Sequence, residues 1–174
     1  MKAVLDIKVE AKDLFKFNIL QAYEGRQGFL SILLPILIFA YSITSFGSVS
    51  IGSTLVYVGI GIVFLVYVPV TLWIRANKIV NDSKNALSKE IHYEFTEEGI
   101  LVSVGEESVE LEWKNVYRVK TAMGILQIYT NRNNAYLLPL AQVGENYDVL
   151  SKLVYAKVEK FRVRMYKENK YTSK

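Results

Sequence analysis

Hydrophobic and polar positions divide this chain into three textures, and the middle one frames the other two. From Phe29 to Ile74, forty-six residues run without Asp, Glu, Lys, Arg or His. A helix needs about 20 mostly apolar residues to cross a hydrocarbon layer of ~30 Å. The run is therefore long enough for two crossings and too long for one. A stretch of small and polar residues, SFGSVSIGS from Ser45 to Ser53, sits where the chain would have to turn back. The pattern predicts two antiparallel transmembrane helices, at about 29–46 and 54–74. Pro35 and Pro69 should bend them, and Gly59 with Gly61 offers a site of close approach for another helix.

Before this run, Val4 to Val9 alternates, with Leu5, Ile7 and Val9 on one face of a short strand. A helix follows, with Asp13 as cap or first-turn acid and Leu14, Phe15, Phe17, Ile19 and Leu20 as its apolar surface. Such a helix is expected to lie either on the membrane surface or on the soluble part of the chain. After Ile74 the second crossing continues as a polar helix or linker over 75–90. From Ile91 the period drops to two. IHYEF, ILVSV, SVELEW, NVYRVKTA, GILQIYT and AYLLPLA are short runs rich in β-branched and aromatic residues, separated by turn-like TEEG, GEE, WKN, AMG and NRNN. Six strands at this spacing predict an antiparallel meander, within a β domain placed at 91–174. Val109, Leu111 and Trp113 alternate with Glu110 and Glu112, which predicts one face in a core and one in water. A closing helix is expected from about Glu145 to Lys167, with Leu150, Val154, Val158, Phe161 and Met165 on its apolar stripe. Lys157, Lys160, Arg164 and Lys167 fall along one flank of that stripe. They read either as a solvated face or as a contact for anionic lipid, where each charge adds about 1 kcal/mol.

Charge fixes the orientation that the pattern leaves open. The net values are +1 for 1–28, zero for 29–74, +2 for 75–90, −3 for 91–144 and +4 for 145–174. Lys12, Lys16 and Arg26 precede the first crossing, and Arg75, Lys78, Lys84 and Lys89 follow the second. The connecting loop has no Lys or Arg, so the positive-inside rule places both termini in the cytoplasm. No short apolar segment near the start resembles a signal peptide. No ionisable group lies at membrane depth, which argues against a pump or ion-coupled carrier.

Candidate chemistry is sparse. The chain has no cysteine and one histidine, His92, so neither a thiolate site nor a shared imidazole site for a metal can form. Glu97 with Glu98 and Glu106 with Glu107 lie in tight turns, where solvated carboxylates are ordinary. No phosphate-binding or dinucleotide motif and no nucleophile elbow occurs. The acidic strand region speaks against nucleic acid as a partner. No catalytic, cofactor or metal residue is therefore assigned.

The order of YEFTEEGI, the tryptophan of VELEWKNVYRV, GILQIYT and AYLLPLA, behind a strand, KDLFKFN and two apolar helices, resembles the YcxB-like family of bacterial membrane proteins. The resemblance implies a plasma-membrane protein whose cytoplasmic domain is similar to pleckstrin-homology-like barrels, with no established activity. Within it, Gly99 reads as a φ > 0 residue after the turn at Glu98, Trp113 as a core anchor and Pro139 as an edge or exit of the last strand. The expected architecture is an α+β membrane protein: an N-terminal segment (1–28), a two-helix hairpin (29–74), a linker (75–90), and a β domain closed by a helix (91–174). The expected function is a non-enzymatic binding or regulatory module at the inner face of the membrane, with the bilayer and a protein as partners and homo-oligomers allowed. The alternative is an accessory or assembly subunit of a larger membrane complex.

Overall fold

The computed structural model describes residues 2–24 and 26–166. The chain forms two compact units. One comprises the residues up to Leu14 together with those from Asn77 on, and the other runs from Phe15 to Ala76.

The first unit is built on two four-stranded sheets. Strands β1 (Ala3–Ile7), β2 (Ile91–Phe95), β3 (Gly99–Val104) and β4 (Glu107–Glu112) lie side by side in that order, all antiparallel. Strands β5 (Arg118–Ala122), β6 (Ile125–Tyr129), β7 (Ala135–Pro139) and β8 (Val163–Arg164) form the second sheet in the order β7-β6-β5-β8, with β8 parallel to β5. All six expected strands are present, but not as one meander, since β4 does not pair with β5 and the ladder breaks there into two sheets. The N-terminal strand joins them: Ile7 lies opposite Ile91 and Ala3 opposite Phe95, so the first residues of the chain complete a sheet whose other strands begin more than eighty positions later. Ala3, Leu5 and Ile7 point into the core and Asp6 points out, as the period-two pattern requires. The outer edge of β1 meets the short helix α4 (Leu140–Val143). There the Lys8 N–H donates to Gln142 Oε1 (2.9 Å) and Gln142 Nε2 donates to the Lys8 carbonyl (2.8 Å).

Turn chemistry sets the registers. Met123 and Gly124 both have positive φ (50° and 79°) between Ala122 and its partner Ile125, the signature of a type I′ hairpin. Gly105 alone is positive (62°) between Val104 and its partner Glu107, as a type II′ turn demands. Tyr93 links the sheets, with its ring edge-on to Tyr136 at 5.9 Å. Helix α5 (Tyr147–Lys157) closes the core with Tyr147, Leu150, Leu153 and Val154, all buried.

Two expectations for this unit are corrected. Strand β4 does not present a buried face. Val109 is 58% exposed and every residue of the strand but the half-buried Leu111 is exposed, because β4 is the last strand of its sheet and the core stops short of it. The closing helix ends at Lys157, ten residues earlier than its helical angles suggest. Val158 turns extended (φ −108°, ψ 137°), and Val163 pairs with Val119 in β8. Burial of these two β-branched residues and a sheet ladder outweigh continuation of the helix.

In the second unit, α2 (Arg26–Thr44) and α3 (Ile51–Asn81) are separated by a short connection in which Gly47 takes φ 88°. Side chains from the two helices meet in antiparallel order. Tyr41 and Tyr57 contact edge-on at 5.4 Å, and Phe39 packs against Gly61, where an added Cβ would lie 2.9 Å from the ring. Gly61 thus makes the close approach that its residue type allows, whereas Gly59 faces open space. Helix α3 continues past Ile74 to Asn81, and among the described residues it is by itself long and apolar enough to cross a membrane. Helix α2 counts toward a second crossing only together with α1 (Ala11–Tyr23), with which it forms a bent pair. Helix α1 is capped by Asp13, whose Oδ2 accepts from the Glu10 N–H (3.3 Å). Its Phe15 lies edge-on to Trp73 of α3 at 5.3 Å.

Candidate functional site

Because the helix ends early, Lys157, Lys160 and Arg164, three of the four basic residues expected along one flank, do not share one. Lys157 closes α5, Lys160 opens a 3-10 turn (Lys160–Arg162), Arg164 lies in β8 opposite Lys120, and Lys167 falls outside the described residues. Lys157 Nζ sits 3.9 Å from Glu97 Oε2. Phe161, expected on the apolar stripe, is instead 76% exposed, with the Arg162 guanidinium 5.4 Å from its ring centre. Arg162 is held from two sides, by Glu159 at 2.9 Å and by the Val116 carbonyl at 3.4 Å.

The three residues expected to be structural are placed as follows. Trp113 is buried, stacks at a tilt on Phe95 (6.5 Å) and donates from Nε1 to the Thr96 carbonyl (2.9 Å). It anchors the core from a 3-10 turn (Trp113–Asn115) just past β4. Gly99 does not have positive φ. It opens β3, and its need for glycine is proximity, since an added Cβ would lie 2.9 Å from the Leu111 carbonyl oxygen. Pro139 ends β7, an edge strand, and leads directly into α4.

His92 and Asp6 face each other across β1 and β2, Nδ1 to Oδ1, at 2.6 Å on the outer surface. Ser103 continues the same cross-strand row, opposite His92. A nucleophile and its base must lie within hydrogen-bond reach, and among the described residues no bond joins His92 to Ser103. The described residues contain no group of three His, Cys, Asp or Glu side chains able to hold a metal. Burial pushes the phenols of Tyr93, Tyr136 and Tyr147 still further above neutral pH, so none offers a phenolate base there. The Tyr147 hydroxyl donates to the Tyr166 carbonyl (2.7 Å) and so ties α5 to the segment after β8.

These features define an α+β protein in which one unit is two packed sheets closed by a helix and the other carries an apolar helix of membrane-spanning length. Residues 95–154, from the end of β2 into α5, match the family model described as YcxB-like protein, the family that the sequence resembles. Over that stretch the chain is similar to the YcxB-like family. No curated protein and no solved structure matches it.

Proposed function

We propose that α2 and α3 are two membrane crossings that hold a pleckstrin-homology-like domain at the cytoplasmic face of a bacterial plasma membrane, where it acts as a non-enzymatic binding or regulatory module. The observation that carries this reading is the bare apolar surface of the two helices. Ile43, Leu55 and Phe64 are 75%, 66% and 48% exposed, and the wider set extends along both helices. Water would penalise each such surface by about 25 cal/mol per Å², whereas hydrocarbon would not. The antiparallel contacts Tyr41–Tyr57 and Phe39–Gly61 suit a hairpin, and the Lys and Arg distribution suits cytoplasmic ends. Two four-stranded sheets with a closing helix support the pleckstrin-homology-like assignment, which rests on architecture alone.

The alternative, an assembly subunit, draws on the open face of α3 around Gly59, where a further helix could approach. Purification of the full chain from mild detergent separates the two. A regulatory module should return with lipid or a soluble protein. One stoichiometric membrane-spanning partner would replace the module by the subunit.

A further inference from the structure

We infer that a groove between the 84–89 turn and the β3–β4 hairpin binds a group carrying both a phosphate and a primary ammonium, as a zwitterionic phospholipid headgroup does. The groove has a volume of about 460 Å³. Lys84, Ala86 and Lys89 form one wall, and Gly105, Glu106 and Glu107 the other. Small-ligand sites typically enclose about 300–1,000 Å³.

Its charge pattern is specific. Two lysines face two glutamates, yet among the described residues none of the four side chains is in an ion pair. A simple anion would be attracted by one wall and repelled by the other, and so would a simple cation. A ligand bearing both charges satisfies both walls at once. Carboxylates accept N–H donors, so a primary ammonium fits the glutamate wall better than a quaternary one, which has no N–H to give. Both walls are also held in place. Asn85 Oδ1 accepts from the Leu87 N–H (3.0 Å), Ser88 Oγ donates to the Asn85 carbonyl (2.7 Å), and Asp82 Oδ1 accepts from the Lys84 N–H (3.1 Å). On the other side, the turn at Gly105 is closed by the pairing of Val104 with Glu107.

Chain connectivity bears on the source of the ligand. The strand ends Ile7, Ile91, Val104 and Glu107 form one row at one end of the first sheet. From that end β1 runs on toward α1, and to it the chain returns from α3. A lipid source rests on the membrane placement proposed above, whereas the headgroup chemistry does not.

The full chain in mild detergent is titrated with phosphatidylethanolamine, phosphatidylglycerol and phosphatidylcholine, and separately with soluble phosphoethanolamine, with binding read by native mass spectrometry. Phosphatidylethanolamine should bind at least tenfold more tightly than the other two lipids. Lys84→Gln with Lys89→Gln should weaken it about tenfold, and Glu106→Gln with Glu107→Gln should erase its advantage over phosphatidylglycerol. All four side chains are exposed, so both variants should keep the melting temperature of the parent. Equal binding of the three lipids, or binding unchanged in both variants, would overturn the site. Phosphoethanolamine competing as well as the lipid would keep the zwitterion chemistry and overturn the lipid source. Recovery of the chain in the soluble fraction would count against the membrane reading alone, since the phosphoethanolamine titration is still read in buffer.

Discussion

Removing Lys2–Val9 should leave the β unit unfolded, even though the deleted residues lie far from it along the chain. β1 supplies Leu5 and Ile7 to the core, and Val9 just beyond it is fully buried. Loss of each such side chain costs about 2–5 kcal/mol, and the β2 edge would lose its ladder as well. The sum is comparable with the whole stability of a domain, about 5–15 kcal/mol. A fragment starting at Asn77 should therefore show neither a cooperative melt nor dispersed amide resonances. Joining Val9 to Glu90 by a short glycine-serine loop should restore both, because Ile7 and Ile91 are already opposed as in a hairpin. A folded fragment without β1 would mean that the strand is an accessory and that the sheet is complete with three.

Trp113→Ala should destabilise the same unit by about 3–5 kcal/mol, since it empties a buried site between Phe95 and the turn at Thr96. Trp113→Phe keeps a ring against Phe95 and gives up the hydrogen bond to the Thr96 carbonyl, which should cost only about 0.5–1.5 kcal/mol. Chemical denaturation of the joined β unit measures both. Equal effects of the two substitutions would mean that the hydrogen bond, and not the packing, holds the tryptophan.

How far residues disclosed structure differed from place to place. Strands β2 to β7 were legible because each alternates or is densely apolar and each is bounded by turn residues whose φ preferences are local. β1 was legible as a strand, but its partner was not, since pairing across more than eighty residues leaves no local trace. β4 misled because alternation reports two chemically different faces and not whether anything covers them; at a sheet edge nothing does. The closing helix misled for a related reason. Lys157 to Lys167 fits helical angles, but Val158 and Val163 gain more from the sheet and core, which no helical projection contains. Residue type alone does not separate the two reasons for a glycine at 99, as crowding by a carbonyl, which the fold shows, and an αL conformation, which it does not, both favour glycine. The groove leaves no trace in the sequence, because Lys84 and Lys89 come to line it with Glu106 and Glu107 only through the fold.

The two-crossing anchor with cytoplasmic ends is the central claim, and the absence of cysteine makes it directly measurable. Ser48→Cys places one thiol in the connection between α2 and α3, and Ser83→Cys places one just after α3. With a membrane-impermeant maleimide on intact cells, the first should label readily and the second only after the membrane is permeabilised. Labelling of Ser83→Cys in intact cells, or protection of Ser48→Cys there, would contradict the account.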